Sequence, residues 1–323
     1  MAMNTAAHPR MRILVALWLC LCVAVAHASE VLPSWRPGAT RDAIVAFVES
    51  TTTPGSPRFV PIEQRIATFD NDGTLWAEQP YRSAIAGDIH GVMAAGEKAI
   101  MQIIADTHAG MTTEEFSDVV RQWIRSARHP VSQRRYDEMI YQPMRELLEY
   151  LRAHGYQTWI VSGGGQEFMR PWVEQAYGIP PWQVIGSYGE LEYRVVDGKP
   201  ALRKIAKVGL IDDHGGKPVG IQRFIGQRPV LAFGNSDGDL SMLQWTVAGS
   251  GPRFAGLVHH TDARREYAYD RASKIGTLDR ALDAAEANGW TVVDMARDWS
   301  VVFPEPASID ALRTSTTPPE ASP

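Results

Sequence analysis

The segment RIATFDNDGTLW, residues 65–76, ends a short apolar run in two carboxylates one residue apart, Asp70 and Asp72, followed by Gly73 and Thr74. Two like charges so close repel unless a cation lies beside them. A hard cation such as Mg2+, held by few protein oxygens plus a substrate phosphate, relieves that clash. With such a cation and fixed donors nearby, a carboxylate can attack phosphorus and form an acyl phosphate. Asp70 is the candidate nucleophile. Asp72, turned back over the same pocket, is the candidate acid for the leaving alcohol and base for the water that follows. Gly73 lets the backbone turn sharply, and Thr74 either caps the loop or bonds the phosphate.

These residues need a scaffold that ends strands at one edge. RIATFD is a convincing strand, and YQTWIVS (156–162), PVLAFG (229–234), FAGLVHH (254–260) and WTVVDM (290–295) are further buried-strand candidates. Helical patterns lie between them. The clearest is TLDRALDAAEANGW, with Leu278, Ala281, Leu282 and Ala285 on one face and Asn288-Gly289 as its stop. Strands alternating with helices predict an α/β fold with a doubly wound parallel sheet, whose ligands bind beyond the carboxyl ends of the strands. Asp70, Ser162, Gly234 and His260 each stand at such an end. A helix from Thr40 is expected to carry Ile44, Phe47 and Val48 inward, with Thr40 as its cap. Residues 77–150 show helical patterns only (EEFSDVVRQWIRSA, MRELLEYLRAHG) and are expected to form an insertion. GELEYRVVDGKPALRKI (189–205) alternates around Asp197-Gly198 and reads as a hairpin.

The segments FDNDGTLW, WIVSGGG, GGKPVGI and FGNSDGDLSML occur in the order and strand-end positions of the four motifs of haloacid dehalogenase-superfamily phosphatases, and the chain resembles that family over residues 63–300. The resemblance implies a Rossmannoid core (63–76 and 151–300), a helical cap (77–150) in the manner of the phosphoserine-phosphatase-like branch, an aspartyl-phosphate intermediate and Mg2+ dependence. It implies Ser162 and the backbone of Gly163 as phosphate ligands and Lys217 as the cation between nucleophile and phosphoryl group. The dehalogenating branch lacks the second acid of the first motif, so Asp72 favours phosphate chemistry. The fourth motif departs from the family pattern, because Asn235 follows Gly234 where an acid is usual. The expected metal ligands are therefore Asp70, the backbone carbonyl of Asp72, and Asn235 or Asp239, with Asp237 as a substitute.

Other polar clusters have plainer readings. Lys204 and Lys207 rival Lys217, but only Lys217 opens a helix feeding the fourth-motif strand. Asp212, Asp213 and His214 read as a polar loop more than as a second metal site. His259 and His260 end a strand, where a histidine either faces the pocket or is hydrogen-bonded within the structure. Trp76, Tyr81, Trp123, Tyr136 and Tyr141 read as apolar core of the insertion.

The bulk composition narrows the substrate class. Among 323 residues there are 32 Lys and Arg against 37 Asp and Glu, a net charge of −5, with no basic cluster interleaved with aromatics, which argues against nucleic acid. Arg10 and Arg12 precede the apolar run Ile13–Ala26, and Ala26-His27-Ala28 supplies a small-residue cleavage pattern. Residues 1–28 read as a secretory signal peptide, after whose removal the chain has no membrane anchor and resides in the periplasm or outside the cell. Both cysteines, Cys20 and Cys22, lie within it, leaving a mature chain without disulfide or thiolate chemistry. Residues 29–62 form an N-terminal helix and loop, and 301–323 a tail, disordered toward its end. The sum is a Mg2+-dependent phosphatase for small phosphomonoesters. The alternatives are a phosphotransferase of the same fold and a weakly catalytic phosphate-ester-binding protein.

Overall fold

The computed structural model describes residues 31–79, 102 and 106–304. The expected signal peptide, most of the tail, Tyr81 and the first part of the insertion lie outside these residues.

Seven strands form one sheet in the order β4-β3-β2-β1-β5-β6-β7. They are β1 (Ile66–Phe69), β2 (Gln157–Gly165), β3 (Val184–Val196), β4 (Lys199–Leu210), β5 (Leu231–Gly234), β6 (Phe254–His259) and β7 (Thr291–Asp294). All neighbours pair parallel except β3 with β4. The central β1 pairs with β2 at Phe69↔Ile160 and with β5 at Phe69↔Phe233, so Asp70 leaves the sheet between two buried strands. The strands read as near-continuous apolar runs because both faces are covered.

Their side chains divide by parity. Phe69, Ile160, Val184, Leu231, Phe233, Val258 and Val293 face one layer, built with α1 (Ala39–Thr52) and α3 (Gln142–Ala153). Val161, Ile185, Ala232, Ala255 and Leu257 face the other, built with α6 (Gly216–Phe224), α7 (Leu240–Val247) and α8 (Arg280–Asn288). Ile44, Phe47 and Val48 are buried as the helical spacing predicts, although the helix starts at Ala39 and its N-cap is Gly38. Thr40 does not cap it; its hydroxyl donates to Asp298 at 2.8 Å.

Two boundaries differ from the sequence reading. Residue 150, the expected end of the insertion, falls inside α3, whose Met144, Leu147, Leu148 and Leu151 pack into the core. The hairpin turns at Asp197-Gly198, both at positive φ as a two-residue hairpin loop requires. Its first strand, however, begins earlier, as a core strand parallel to β2 from Val184. Within the insertion, α2 (Thr113–Ser126) is capped reciprocally by Thr112 and Glu115 and buries Phe116, Val120 and Ile124. Trp76, Tyr136 and Tyr141 are buried, with Trp123 stacked on Tyr136. Val302 near the tail is buried as well, its carbonyl accepting the Gln142 backbone N–H.

Candidate active site at the carboxyl ends of the central strands

Asp70 is held first by the sheet: its backbone N–H donates to the Phe233 carbonyl at 3.0 Å, continuing the β1–β5 ladder one residue past the strand. The chain then turns within Asn71–Trp76, where the Asn71 carbonyl accepts the N–H groups of Thr74, Leu75 and Trp76. Gly73 sits at φ +80°, and a Cβ there would lie 2.1 Å from the Asn235 amide nitrogen, so the turn demands glycine on both counts. His260, fully buried, donates through Nε2 to the Gly73 carbonyl at 2.7 Å and stacks on Tyr269 at 4.3 Å. It braces the loop from behind and does not face the pocket. His259 pairs outside, 3.6 Å from Asp270.

Lys217, second residue of α6, is 1% exposed and reaches under the strand ends. Its ammonium donates to Asp70 Oδ1 at 2.6 Å, to Asp239 Oδ1 at 2.6 Å and to the Val161 carbonyl at 2.9 Å. Burial opposes its charge, but the carboxylates of Asp239 and Asp70 outweigh burial and hold it above the usual lysine range. Lys204 is elsewhere, paired with Glu167 and over the Phe116 ring, and Lys207 is exposed. Asp70 itself is held well above the usual carboxylate range by burial and by Asp239, against the pull of Lys217; Asp72 adds to the rise. A carboxylate nucleophile must be ionised, so the site calls for more positive charge than Lys217 alone supplies.

The oxygens that would receive that charge converge on one point. The Asn235 side-chain oxygen position lies 2.9 Å from the Asp72 carbonyl, 3.3 Å from Asp70 Oδ2 and 3.1 Å from the Thr74 hydroxyl. Thr74 donates to Asn235, but the carbonyl and carboxylate are acceptors like the amide oxygen. Oxygens about 2.9–3.3 Å apart are spaced like edges of an octahedron of Mg–O bonds of about 2.1 Å. Asp70, the Asp72 carbonyl and Asn235 thus fit a divalent cation. Asp239 does not join them: its Oδ1 is on Lys217, and its Oδ2 accepts the N–H groups of Asn235 and Ser236 and the Ser236 hydroxyl. Asp237 is further away in role, its carboxylate capping α8 through the N–H groups of Asp279, Arg280 and Ala281. No group of three His, Cys, Asp or Glu side chains among the described residues has metal-holding geometry, Asp212–His214 included. The candidate set escapes that pattern because it draws on one carboxylate, one carbonyl and one amide.

The Asp72 side chain is oriented by neighbours that spacing did not reveal. The indole N–H of Trp76, buried and stacked on Trp172, donates to Asp72 Oδ1. A Cβ on Gly164 would lie 3.1 Å from Asp72 Oδ2 and 3.3 Å from the Ser162 hydroxyl, so these two groups border the same spot beyond β1 and β2. Ser162, buried, accepts the Gly164 N–H at 3.1 Å. Gly163 lies in β2, which runs on through the three glycines, and its carbonyl is held by the Ser187 hydroxyl at 2.8 Å. Thr74 is buried, and its hydroxyl donates to the Asn235 amide oxygen at 3.1 Å. Asp213 edges the pocket beside Gly163 and Gly238, while Asp212 beneath it is fully buried. A separate cleft of about 490 Å³, lined by Arg58, Arg253, Asn288 and Trp290, lies at the opposite, amino ends of β6 and β7.

Comparison with known proteins adds a family. The family model described as haloacid dehalogenase-like hydrolase matches residues 67–244, more than half of the chain. No curated protein matches. Among solved structures, a protein of unknown function from Bordetella pertussis Tohama I is 16% identical, with 72% of this chain and 99% of that one covered at a TM-score of 0.47. A phosphoserine phosphohydrolase-like protein from Francisella tularensis is 14% identical, covering 78% and 100% at 0.39. Cytosolic 5'-nucleotidase IIIB bound to cytidine is 14% identical, covering 87% and 91% at 0.41.

Proposed function

The chain belongs to the haloacid dehalogenase-like hydrolases, and on that premise we propose that it is a Mg2+-dependent phosphatase acting on small phosphate monoesters through a phosphorylated Asp70. The observation that carries the reading is the division of labour at one strand end. Asp70 is gripped by Lys217 on one oxygen and faces the Asn235 and Asp72 oxygens with the other. Asp72, two residues on, is anchored through Oδ1 by Trp76.

Asp70 attacks the phosphorus; its oxygen–phosphorus bond forms as the bond to the ester oxygen breaks. Asp72 gives its proton to the leaving alkoxide and thereby becomes the base for the second half. It then takes a proton from water, whose oxygen displaces Asp70 from phosphorus, releasing phosphate and restoring Asp70 as a carboxylate and Asp72 as the acid. Lys217 holds Asp70 in line and offsets its charge as the dianion approaches, while Ser162 and the backbone about Gly163 receive the phosphoryl oxygens. Bound through Asp70, the Asp72 carbonyl and Asn235, Mg2+ would supply charge neutralisation for both the nucleophile and the phosphate. In the insertion expected over residues 77–150, α2 (Thr113–Ser126) is the described helix that would belong to a cap closing over the substrate and excluding water.

Among the described residues no helix is long and apolar enough to cross a membrane. We place the mature enzyme in the periplasm or outside the cell, starting at Ser29; N-terminal sequencing of the exported form tests this, and a mature chain retaining Cys20 would refute it. The catalytic reading is tested by phosphate release from a panel of small phosphomonoesters with Mg2+ and with chelator. Turnover that requires Mg2+ and is lost in Asp70→Asn is expected; turnover unaffected by either change would overturn it. The panel run with added alcohols separates hydrolysis from phosphotransfer.

A further inference from the structure

Asn235 can present either end of its amide to the three oxygens, and without a cation the two acceptors among them favour its nitrogen. With its nitrogen there, it would donate to the Asp72 carbonyl, Asp70 Oδ2 and Thr74, and no oxygen would be left for a cation. With its oxygen there, it accepts from Thr74 and opposes two acceptors. The far end of the amide works in the other direction. Its nitrogen lies 3.4 Å from Glu78 Oε2, a carboxylate oxygen that already accepts the Tyr269 hydroxyl at 2.9 Å. Reversing the amide would set its oxygen against that carboxylate, a repulsive contact in a half-buried place.

The backbone makes room for this arrangement at both ends. A Cβ on Gly73 would fall 2.1 Å from the Asn235 amide nitrogen, and one on Gly276 would fall 2.1 Å from Glu78 Oε2; both glycines are at positive φ. Tyr269 in turn is stacked on His260, which braces the Gly73 carbonyl. One short chain of contacts therefore fixes the loop and the amide together.

We infer that Glu78 is a positioning residue for the cation site: by taking the Asn235 amide hydrogen it turns the amide oxygen toward Asp70 and Asp72, making a neutral side chain an effective ligand. The inference rests on the cation-assisted reading above. Partners that orient a metal ligand from outside are worth about 10- to 100-fold in affinity. Glu78 does so from 157 residues away in the sequence.

The test is calorimetric titration of Mg2+ into the chelator-treated full chain, without substrate. Glu78→Ala should weaken binding about tenfold. Glu78→Gln, whose carbonyl oxygen accepts the same two bonds, should stay within about threefold of the parent. In an Asn235→Asp background Glu78→Ala should cost nothing, because a carboxylate has no wrong way round. Tyr269→Phe, which leaves the carboxylate present but loosens it, should weaken binding about threefold and serves should Glu78→Ala fail to fold. Parent-like binding in both Glu78→Ala and Tyr269→Phe, a Gln variant as weak as the Ala variant, or a loss that persists in the Asn235→Asp background would each overturn the inference while leaving the phosphatase reading standing. A parent protein that binds no Mg2+ at all would overturn both.

Discussion

Replacing Lys217 by Met tests how much of the site's integrity depends on one buried cation. The ammonium has three partners within 2.9 Å, two of them carboxylates, and is 1% exposed. Its removal leaves Asp70 and Asp239 facing each other without compensation. Deleting one partner of a buried ion pair costs about 3–5 kcal/mol, and here two carboxylates lose the same partner. The variant can relieve part of the cost by protonating Asp70, at about 1.4 kcal/mol for each pH unit by which its folded value rises. Because burial and Asp239 already hold the folded Asp70 carboxyl above its ordinary value, that relief is complete in acid and lost as pH rises. Relative to the parent, Lys217→Met should therefore be destabilised by about 3–5 kcal/mol at pH 8 and by much less at pH 4.5. Asp239→Asn added to the variant should recover about 2 kcal/mol at pH 8, since one of the two charges is gone. Phosphate release should fall by a factor of about 10² or more, as for loss of one charge-stabilising donor. Urea unfolding in chelator at the two pH values decides it. A deficit under about 1 kcal/mol, or one of equal size at both pH values, would refute the argument.

Asp212 is fully buried with neither carboxylate oxygen hydrogen-bonded among the described residues, and burial pushes it up to about 7, with Lys217 opposing and Asp213 reinforcing. Stability should fall as pH rises from about 4 to about 7, by at most roughly 4 kcal/mol for this group, and Asp212→Asn should lose that slope; parallel parent and variant profiles in denaturant titrations would refute this. Gly73→Ala should abolish measurable Mg2+ binding and turnover, because its Cβ would overlap the Asn235 amide at a φ of +80°; parent-like calorimetry would contradict it. Asn235→Asp should tighten Mg2+ about tenfold, or 1.4 kcal/mol, by adding a charge to the oxygen set, when paired with Glu78→Gln so that its outer oxygen does not face the Glu78 carboxylate. An unchanged half-saturating concentration would remove Asn235 from the ligand shell.

The parts of this protein that were legible in its sequence are those whose cause is local. Apolar runs of four to seven residues marked the buried strands, and the strand-end position of Asp70 followed from the run that precedes it. Lys217 stood out because it opens a helix, and it proved to reach Asp70. What spacing hid are partnerships closed by the fold. Trp76 reads as an apolar core residue, and it is one, yet its single polar atom orients Asp72. Glu78 meets Asn235 and Tyr269, and His260 meets the Gly73 carbonyl, each across more than 150 residues of chain. Spacing makes Asp239 an expected ligand and Asp237 its substitute, but Asp237 caps α8 and Asp239 anchors Lys217. The core start of β3 escaped notice because four residues, Val184–Ser187, are too few to show a period before the alternating hairpin takes over.

The central claim is that Asp70 carries the phosphoryl group while Asp72 moves the protons. The most direct measurement is peptide mass spectrometry of Asp72→Asn quenched in acid after exposure to Mg2+ and p-nitrophenyl phosphate. Without its acid and base the variant should take up the phosphoryl group from this good leaving group and release it slowly, so the peptide bearing Asp70 should gain one phosphate mass, and Asp70→Asn should gain none. Phosphate found on another residue, or turnover by Asp70→Asn equal to that of the parent, would contradict the account.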